Sequence, residues 1–226
     1  MQTLSINLPM DESAFFNLHS HPGNAAGGKT IVNYIVGKDS AIPRDSLISC
    51  GIHPWYIQDK NTQFAELDAL LSGEKNVAAI GEAGLDKLSA ASYPLQQEIF
   101  RGQALRAEKW QKPLIIHAVK TWGDLLAEHK RLRPSMPWIV HGFRGKGELA
   151  GQLLREGFYL SFGLHFHPEA LREAWPGRLF LETDEAPVSI GDIYQNAAQI
   201  LGISPEELAK QVEKNARACQ FRFPLD

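Results

Sequence analysis

Residues 113–141 read PLIIHAVKTWGDLLAEHKRLRPSMPWIVH. The stretch opens and closes alike. A proline, three bulky and mainly apolar residues and a histidine occupy 113–117 and again 137–141. Short apolar runs bounded by proline or polar residues have the character of buried strands. Between them, residues 121–131 carry an amphipathic helical pattern. Strand, helix, strand is the repeating unit of parallel α/β folds.

The same unit recurs outward in both directions. Apolar runs lie upstream at AFFNLH from Ala14, TIVNYIV from Thr30, SLISCG from Ser46 and NVAAIGE from Asn76, and downstream at GFYLSF from Gly157 and RLFLETD from Arg178. Helical patterns fall at 61–72, 94–110, 147–155, 168–174, 191–201 and 205–218. The last opens on Ser204-Pro205-Glu206-Glu207, an N-cap with proline at the first helical position and acids in the first turn. Eight strands alternating with helices predict a TIM-type (β/α)8 barrel in one domain spanning 1–226. Segments 20–29 and 37–45 are short and rich in Gly, Pro and polar residues, so the first helices are expected to be reduced or missing. A doubly wound open sheet is the competing architecture. It is weakened because no glycine-rich phosphate turn follows the first run.

Composition narrows the function classes. At 226 residues, 44% hydrophobic and 22% charged, the chain matches an ordinary globular protein. The formal net charge of −3 argues against a protein that coats nucleic acid by general electrostatics. It leaves room for a nuclease, because bound cations supply positive charge locally. Two isolated cysteines, Cys50 and Cys219, fit a reducing compartment. The start MQTLSINLPM lacks signal-peptide character, and no apolar run is long enough to span a bilayer, so a cytoplasmic protein with no membrane partner is expected.

The chemistry lies at the ends of the runs. His19 and His21 close the first, and residues two apart on a strand share a face, so both imidazoles can reach one ion. Glu82 follows a buried run in AAIGEAGLD, where a carboxylate needs a partner or a metal. Asp86, four residues on, has the character of a loop hydrogen-bonding group. His117 and His141 end their runs, and Asp184 closes LFLETD. Each has an ordinary alternative as a salt-bridged strand end or packed core group. Barrel sites, however, are built from the C-terminal ends of different strands, and all of these residues cluster there. Weaker candidates for substrate contact are His53 in GIHPW, Lys87, Lys120 and Arg144, with solvated loop charge as the alternative for the cations. His165 and His167 carry no assigned role, and His129 reads as a solvated helix residue.

The order H-x-H, G-I-H-P, G-E-x-G-L-D, P-hydrophobic-I-H, H-x-F-x-G and E-T-D, running from His19 to Asp184, resembles the TatD-type metal-dependent hydrolases, often called TatD deoxyribonucleases. The resemblance implies a TIM barrel and metal-dependent phosphodiester cleavage in DNA. It implies that His19, His21, Glu82, His117, His141 and Asp184 hold metal, with Glu82 able to bridge two ions and Asp184 also contacting the attacking water. Glu82 and Asp184 are thus the catalytic pair. The sequence departs from the family pattern at Asn17, at Lys87, in His117-Ala118-Val119-Lys120 and in the short Glu185-Ala186-Pro187 loop.

These residues predict a hydrolase with one or two divalent ions. Mixed imidazole and carboxylate donors put zinc first, with manganese, nickel, iron and magnesium as alternatives. The expected substrate is a phosphodiester, with single-stranded DNA ends foremost. Small phosphoesters, amides or lactones, and a non-catalytic metal-binding barrel, are the other readings.

Overall fold

The computed structural model describes residues 12–23 and 29–222. After a 3-10 turn at Glu12–Ala14, the described chain forms eight strands and seven α-helices. The strands are β1 (Phe16–Ser20), β2 (Lys29–Ile35), β3 (Leu47–Gly51), β4 (Val77–Asp86), β5 (Leu114–Val119), β6 (Trp138–Val140), β7 (Tyr159–Phe162) and β8 (Leu179–Leu181). The helices are α1 (Lys60–Gly73), α2 (Tyr93–Trp110), α3 (Trp122–Leu132), α4 (Gly147–Arg155), α5 (Pro168–Ala174), α6 (Ile190–Leu201) and α7 (Pro205–Ala218). All neighbouring strands pair in parallel, in the order β1 to β8.

The first and last strands meet to close a barrel. Ser20 bridges Asp184 in parallel, and the Asp184 N–H donates to the His19 carbonyl at 3.0 Å. The Asn17 carboxamide clasps Thr183 twice, donating to Oγ1 at 2.9 Å and accepting from the main-chain N–H at 3.1 Å. Asn17 thus serves the seam of the barrel.

The first helices are missing as expected where the chain is described. Residues 37–45 hold turns and no helix, while 24–28 lie outside the described residues. Backbone just beyond the ends of β2 and β3 still needs partners. Two buried glutamines provide some. Gln63 of α1 donates to the carbonyls of Val36 and Tyr56, both at 3.0 Å. Gln103 of α2 accepts from the Ile52 N–H at 2.7 Å and donates to the Ile52 carbonyl at 3.0 Å. The later helices carry the predicted caps. Ser189 forms a capping box with Asp192 at the start of α6, and Ser204 accepts from the Glu207 N–H at 3.1 Å at the start of α7.

Close packing of β4 against β5 brings the centre together. Gly84 pairs with His117, and a Cβ at Gly84 would run into the His117 carbonyl oxygen. At Gly81 a Cβ would lie 2.7 Å from the Ile115 oxygen. Only glycine permits that approach, which sets Glu82 beside His117. His129 differs from its solvated expectation. It is half-buried, with its ring 4.5 Å from that of Phe158 and 5.1 Å from that of Trp138.

Candidate metal centre

Glu82 is the hub. It is buried at the mouth of the barrel, where its Oε1 lies 2.7 Å from His141 Nε2, 2.9 Å from His117 Nδ1 and 3.2 Å from His53 Nε2. Its Oε2 lies 3.5 Å from His19 Nε2 and accepts from Asn33 Nδ2 at 3.2 Å. Asp184 stands across the cleft, its Oδ1 3.4 Å from His21 Nε2 and 3.8 Å from His19 Nε2. The structure therefore gathers His19, His21, Glu82, His117, His141 and Asp184 around one point. Three sets of potential ligand atoms lie within 4.8 Å of one another: His19, His21 and Glu82; His19, His141 and Asp184; and His53, Glu82 and His117.

The donor set fits a divalent ion. His19 is fully buried, yet neither ring nitrogen has a hydrogen-bond partner. A buried polar ring without a partner is costly. An ion between His19, Glu82 and Asp184 would remove that cost at Nε2, using lone pairs that imidazole and carboxylate offer naturally.

The two histidines on β5 and after β6 are each held from behind by a second acid. Asp86 Oδ2 lies 2.9 Å from His117 Nε2, so the other nitrogen, Nδ1, faces Glu82. Glu182 Oε1 lies 3.4 Å from His141 Nδ1, so His141 presents Nε2, and the same oxygen accepts from the Gly142 N–H at 2.6 Å. Such carboxylates fix the tautomer of a ligating imidazole and raise its basicity. Sequence reasoning missed Glu182, although it sits two residues before Asp184 in one extended run. It also missed Asn33, a lone buried amide within the apolar run of β2, which accepts from both Ser49 Oγ and the Glu82 N–H.

His53 enters the cluster differently. Its Nδ1 accepts from the Trp55 main-chain N–H at 3.0 Å, so the neutral ring carries its proton on Nε2 and offers a donor to the cleft, not a lone pair. Burial lowers its pKa more than the nearby Glu82 raises it, which favours that neutral form.

Charge within the cluster is strongly coupled. Burial alone would raise the pKa of Glu82. The charge of His141 and the hydrogen bonds from His117 and His141 outweigh it and hold the carboxyl well below its ordinary range. His141 moves the opposite way, because attraction to Glu82 and Glu182 overcomes its burial. Asp184 is opposed by burial but held at about 2, chiefly by its hydrogen bond with His21. Its backbone is left-handed, with φ of 53°, which turns the carboxylate back over the strand ends.

Around the centre, a cleft of about 220 Å³ is lined by Lys38, Trp55, Tyr56 and Glu185 as well as by the cluster. A second groove of about 300 Å³ shares Asp184 and Glu185 with it and is lined by Arg144 and His165. Lys87 points elsewhere, pairing with Asp124 at 2.9 Å, and Lys120 is exposed at φ of 56° in the turn after β5. Lys38 and Trp55, both at the cleft, had no signal in the sequence beyond lying shortly after apolar runs.

Comparison with known proteins agrees with this geometry. The model of the family described as TatD related DNase matches residues 32–220. An uncharacterized metal-dependent hydrolase of Escherichia coli (strain K12), YcfH, is 29% identical over 209 residues, covering 82% of this chain and 78% of its own length. A protein of Erwinia billingiae named 3'-5' ssDNA/RNA exonuclease TatD is 30% identical over 205 residues, covering 78% and 77%. Among solved structures, the TatD homolog YJJV of Escherichia coli K12 superposes with a TM-score of 0.82 at 20% identity, over 94% of this chain and 99% of that one. No helix among the described residues is long and apolar enough to cross a membrane. The chain belongs to the TatD-related DNase family and is a metal-dependent hydrolase on a (β/α)8 barrel.

Proposed function

We propose that this barrel hydrolyses phosphodiester bonds at the ends of single-stranded nucleic acid. The observation that carries the reading is the carboxylate of Glu82, reached by His117, His141 and His19 from three separate strand ends and faced across the cleft by Asp184. In this reading His19, His21 and Asp184 would hold one divalent ion and His117 and His141 a second, with Glu82 available to both. Zinc suits the donors best, with manganese, nickel, iron and magnesium as alternatives. When bound, such ions supply positive charge to the phosphoryl oxygens and make water acidic enough to ionise near neutral pH.

The chain's own groups do the rest. The Asp184 carboxylate, ionised throughout the physiological range, accepts the proton of the attacking water. Glu82 remains an anion and keeps the imidazoles converged. His53 turns its Nε2–H to Glu82 Oε1, at 3.2 Å, and helps to keep that carboxylate in place. Asp86 and Glu182 hold the His117 and His141 rings against rotation. Arg144 and Lys38, at the edges of the two clefts, supply charge for neighbouring phosphates.

Nucleic acid as the substrate draws support from the name of the Erwinia relative. The reading takes 1–226 as one barrel domain and places it in the cytoplasm, in keeping with two buried, unpaired thiols. The test is an activity panel on metal-analysed protein, covering single-stranded oligonucleotides, a small phosphodiester and a phosphomonoester. Turnover of the oligonucleotide and the diester, dependent on added zinc or manganese, is expected. Turnover confined to the monoester would replace this reading with a small-phosphoester hydrolase. Stoichiometric metal without turnover of any substrate would favour a binding barrel.

A further inference from the structure

Four large apolar side chains are prominently exposed among the described residues: Trp55, Leu88, Leu105 and Leu164. Of these, Trp55 alone lines the cleft of the metal centre. Its residue is 58% exposed, an unfavourable placement for an indole in water unless something covers it in use.

The ring is nevertheless fastened. Trp55 Nε1 donates to Asp86 Oδ2 at 2.6 Å, and its main-chain N–H donates to His53 Nδ1 at 3.0 Å. The preceding Pro54 carbonyl accepts from Ser89 Oγ at 2.7 Å, tying this loop to the one after β4. The Trp55 ring centroid lies 5.7 Å from that of His53 and 6.3 Å from that of His117, both at steep interplanar angles. These contacts take up the polar edge of the indole and leave most of its π surface open, one ring away from the centre. Ordering has been completed in advance, so little side-chain entropy is lost when a flat partner arrives.

We propose that Trp55 is the stacking platform for the unpaired base of the nucleotide whose phosphate lies at the metal centre. The inference rests on the phosphodiester reading above. The cleft, at about 220 Å³, falls below the roughly 300 Å³ at which pockets begin to enclose drug-sized ligands. It has room for a phosphate and sugar, and the base is then left outside, over the indole. Lys38, 4.7 Å above the Tyr56 ring in the same cleft, stands ready for an adjoining phosphate. A base inside a duplex has both faces covered by its neighbours and cannot offer one to Trp55. Stacking is also tolerant of base identity, because every base has a π face. The site should therefore select an unpaired end without selecting its sequence.

The test compares two single-stranded oligonucleotides, alike except that one lacks the bases of its terminal two nucleotides at each end. They are cleaved by the full chain loaded with manganese, as wild type, Trp55→Ala and Trp55→Phe. In the wild type, KM for the abasic strand should exceed that for the normal strand by about 5- to 160-fold, the range expected of one base–aromatic stack. The ratio should fall to near one in Trp55→Ala and stay within a few-fold of wild type in Trp55→Phe, which keeps a ring but loses the N–H. Taking the ratio within each variant cancels any general damage to the centre. A wild-type ratio of one, or the wild-type ratio persisting in Trp55→Ala, would overturn the proposal. Should the wild type cleave neither strand, the phosphodiester reading has failed, and binding decides the stack separately. Titration with the normal oligonucleotide should then quench wild-type tryptophan fluorescence, and quench Trp55→Phe much less. Equal quenching in the two proteins, or none in either, would overturn it even if Trp55→Ala could not be folded.

Discussion

The centre and the rim of this mouth are built on opposite principles. At the centre, Glu82, His19 and His141 are buried, and Glu82 faces several partners at once. At the rim, Trp55, Lys38 and Arg144 stand exposed. Water screens the rim, so each charge there acts weakly and nearly alone. Exclusion of water at the centre makes every interaction stronger and ties each group to the next. Chemistry is thus concentrated where groups are coupled, and charge recognition where each group acts nearly alone.

The comparison predicts a descending series of effects. Asp184→Asn should lower turnover by about 10²- to 10⁴-fold, the range for loss of a general base. The fold should persist, because asparagine tolerates the left-handed backbone that Asp184 adopts. Kinetics and circular dichroism on one preparation check this, and activity within a few-fold of wild type would move Asp184 from the centre to the scaffold. Next, Glu182→Gln should weaken metal binding by about 10- to 100-fold, as removal of a carboxylate behind a ligating histidine does. Its amide oxygen can still accept from Gly142. Chelator competition measures the change, and unchanged affinity would show that His141 needs no backing.

Proton competition gives a graded effect. In the metal-free chain His141 has a raised pKa, so its proton must leave before Nε2 can ligate. Metal affinity should climb with pH by up to about tenfold per unit for each proton displaced, and should keep climbing above pH 6.5. The stability of the metal-free fold should run the other way. A folded pKa raised above the unfolded value contributes stability that is complete below the unfolded pKa and is lost as pH rises through the folded one. Isothermal titration and thermal melts over a pH series test both signs. A metal affinity that levels off by pH 6.5 would break the coupling drawn here between His141 and Glu82.

The charges of the rim should give the smallest changes. Lys38→Ala and Arg144→Ala should each alter oligonucleotide KM only a few-fold and make the slope of log affinity against log salt shallower by about 0.7, as for one phosphate contact. Lys87→Ala should leave that slope alone, because its ammonium is engaged by Asp124. A large salt effect at Lys87 would enlarge the rim beyond its present bounds.

The same division decides what was legible in the sequence. Strand ends bearing histidine and acid recur with a fixed placement, so the six clustered groups and the barrel could both be read from pattern. The partners behind them could not, since Asp86 and Glu182 acquire their roles from side chains across neighbouring strands. Period-two alternation could have marked Glu182 as sharing a face with Asp184. Lys87 and Lys38 both follow apolar runs, and the pairing of Lys87 with Asp124 on α3 is what takes it out of the cleft. His129 lies on a polar stretch of α3, and its burial comes from Trp138 and Phe158, which no local periodicity reveals.

The seam between β1 and β8 has a consequence for synthesis. Asn17 and Thr183 are 166 residues apart, and their clasp lies beside His19 and Asp184. A nascent chain makes its first two imidazoles early and the acid opposite them near the end. Until β8 has left the ribosome and docked on β1, the pocket lacks one wall, and both strands present unpaired edges. Tight metal capture is therefore an event of completed folding, so uptake of metal by a growing or truncated chain would report whether the circle has closed.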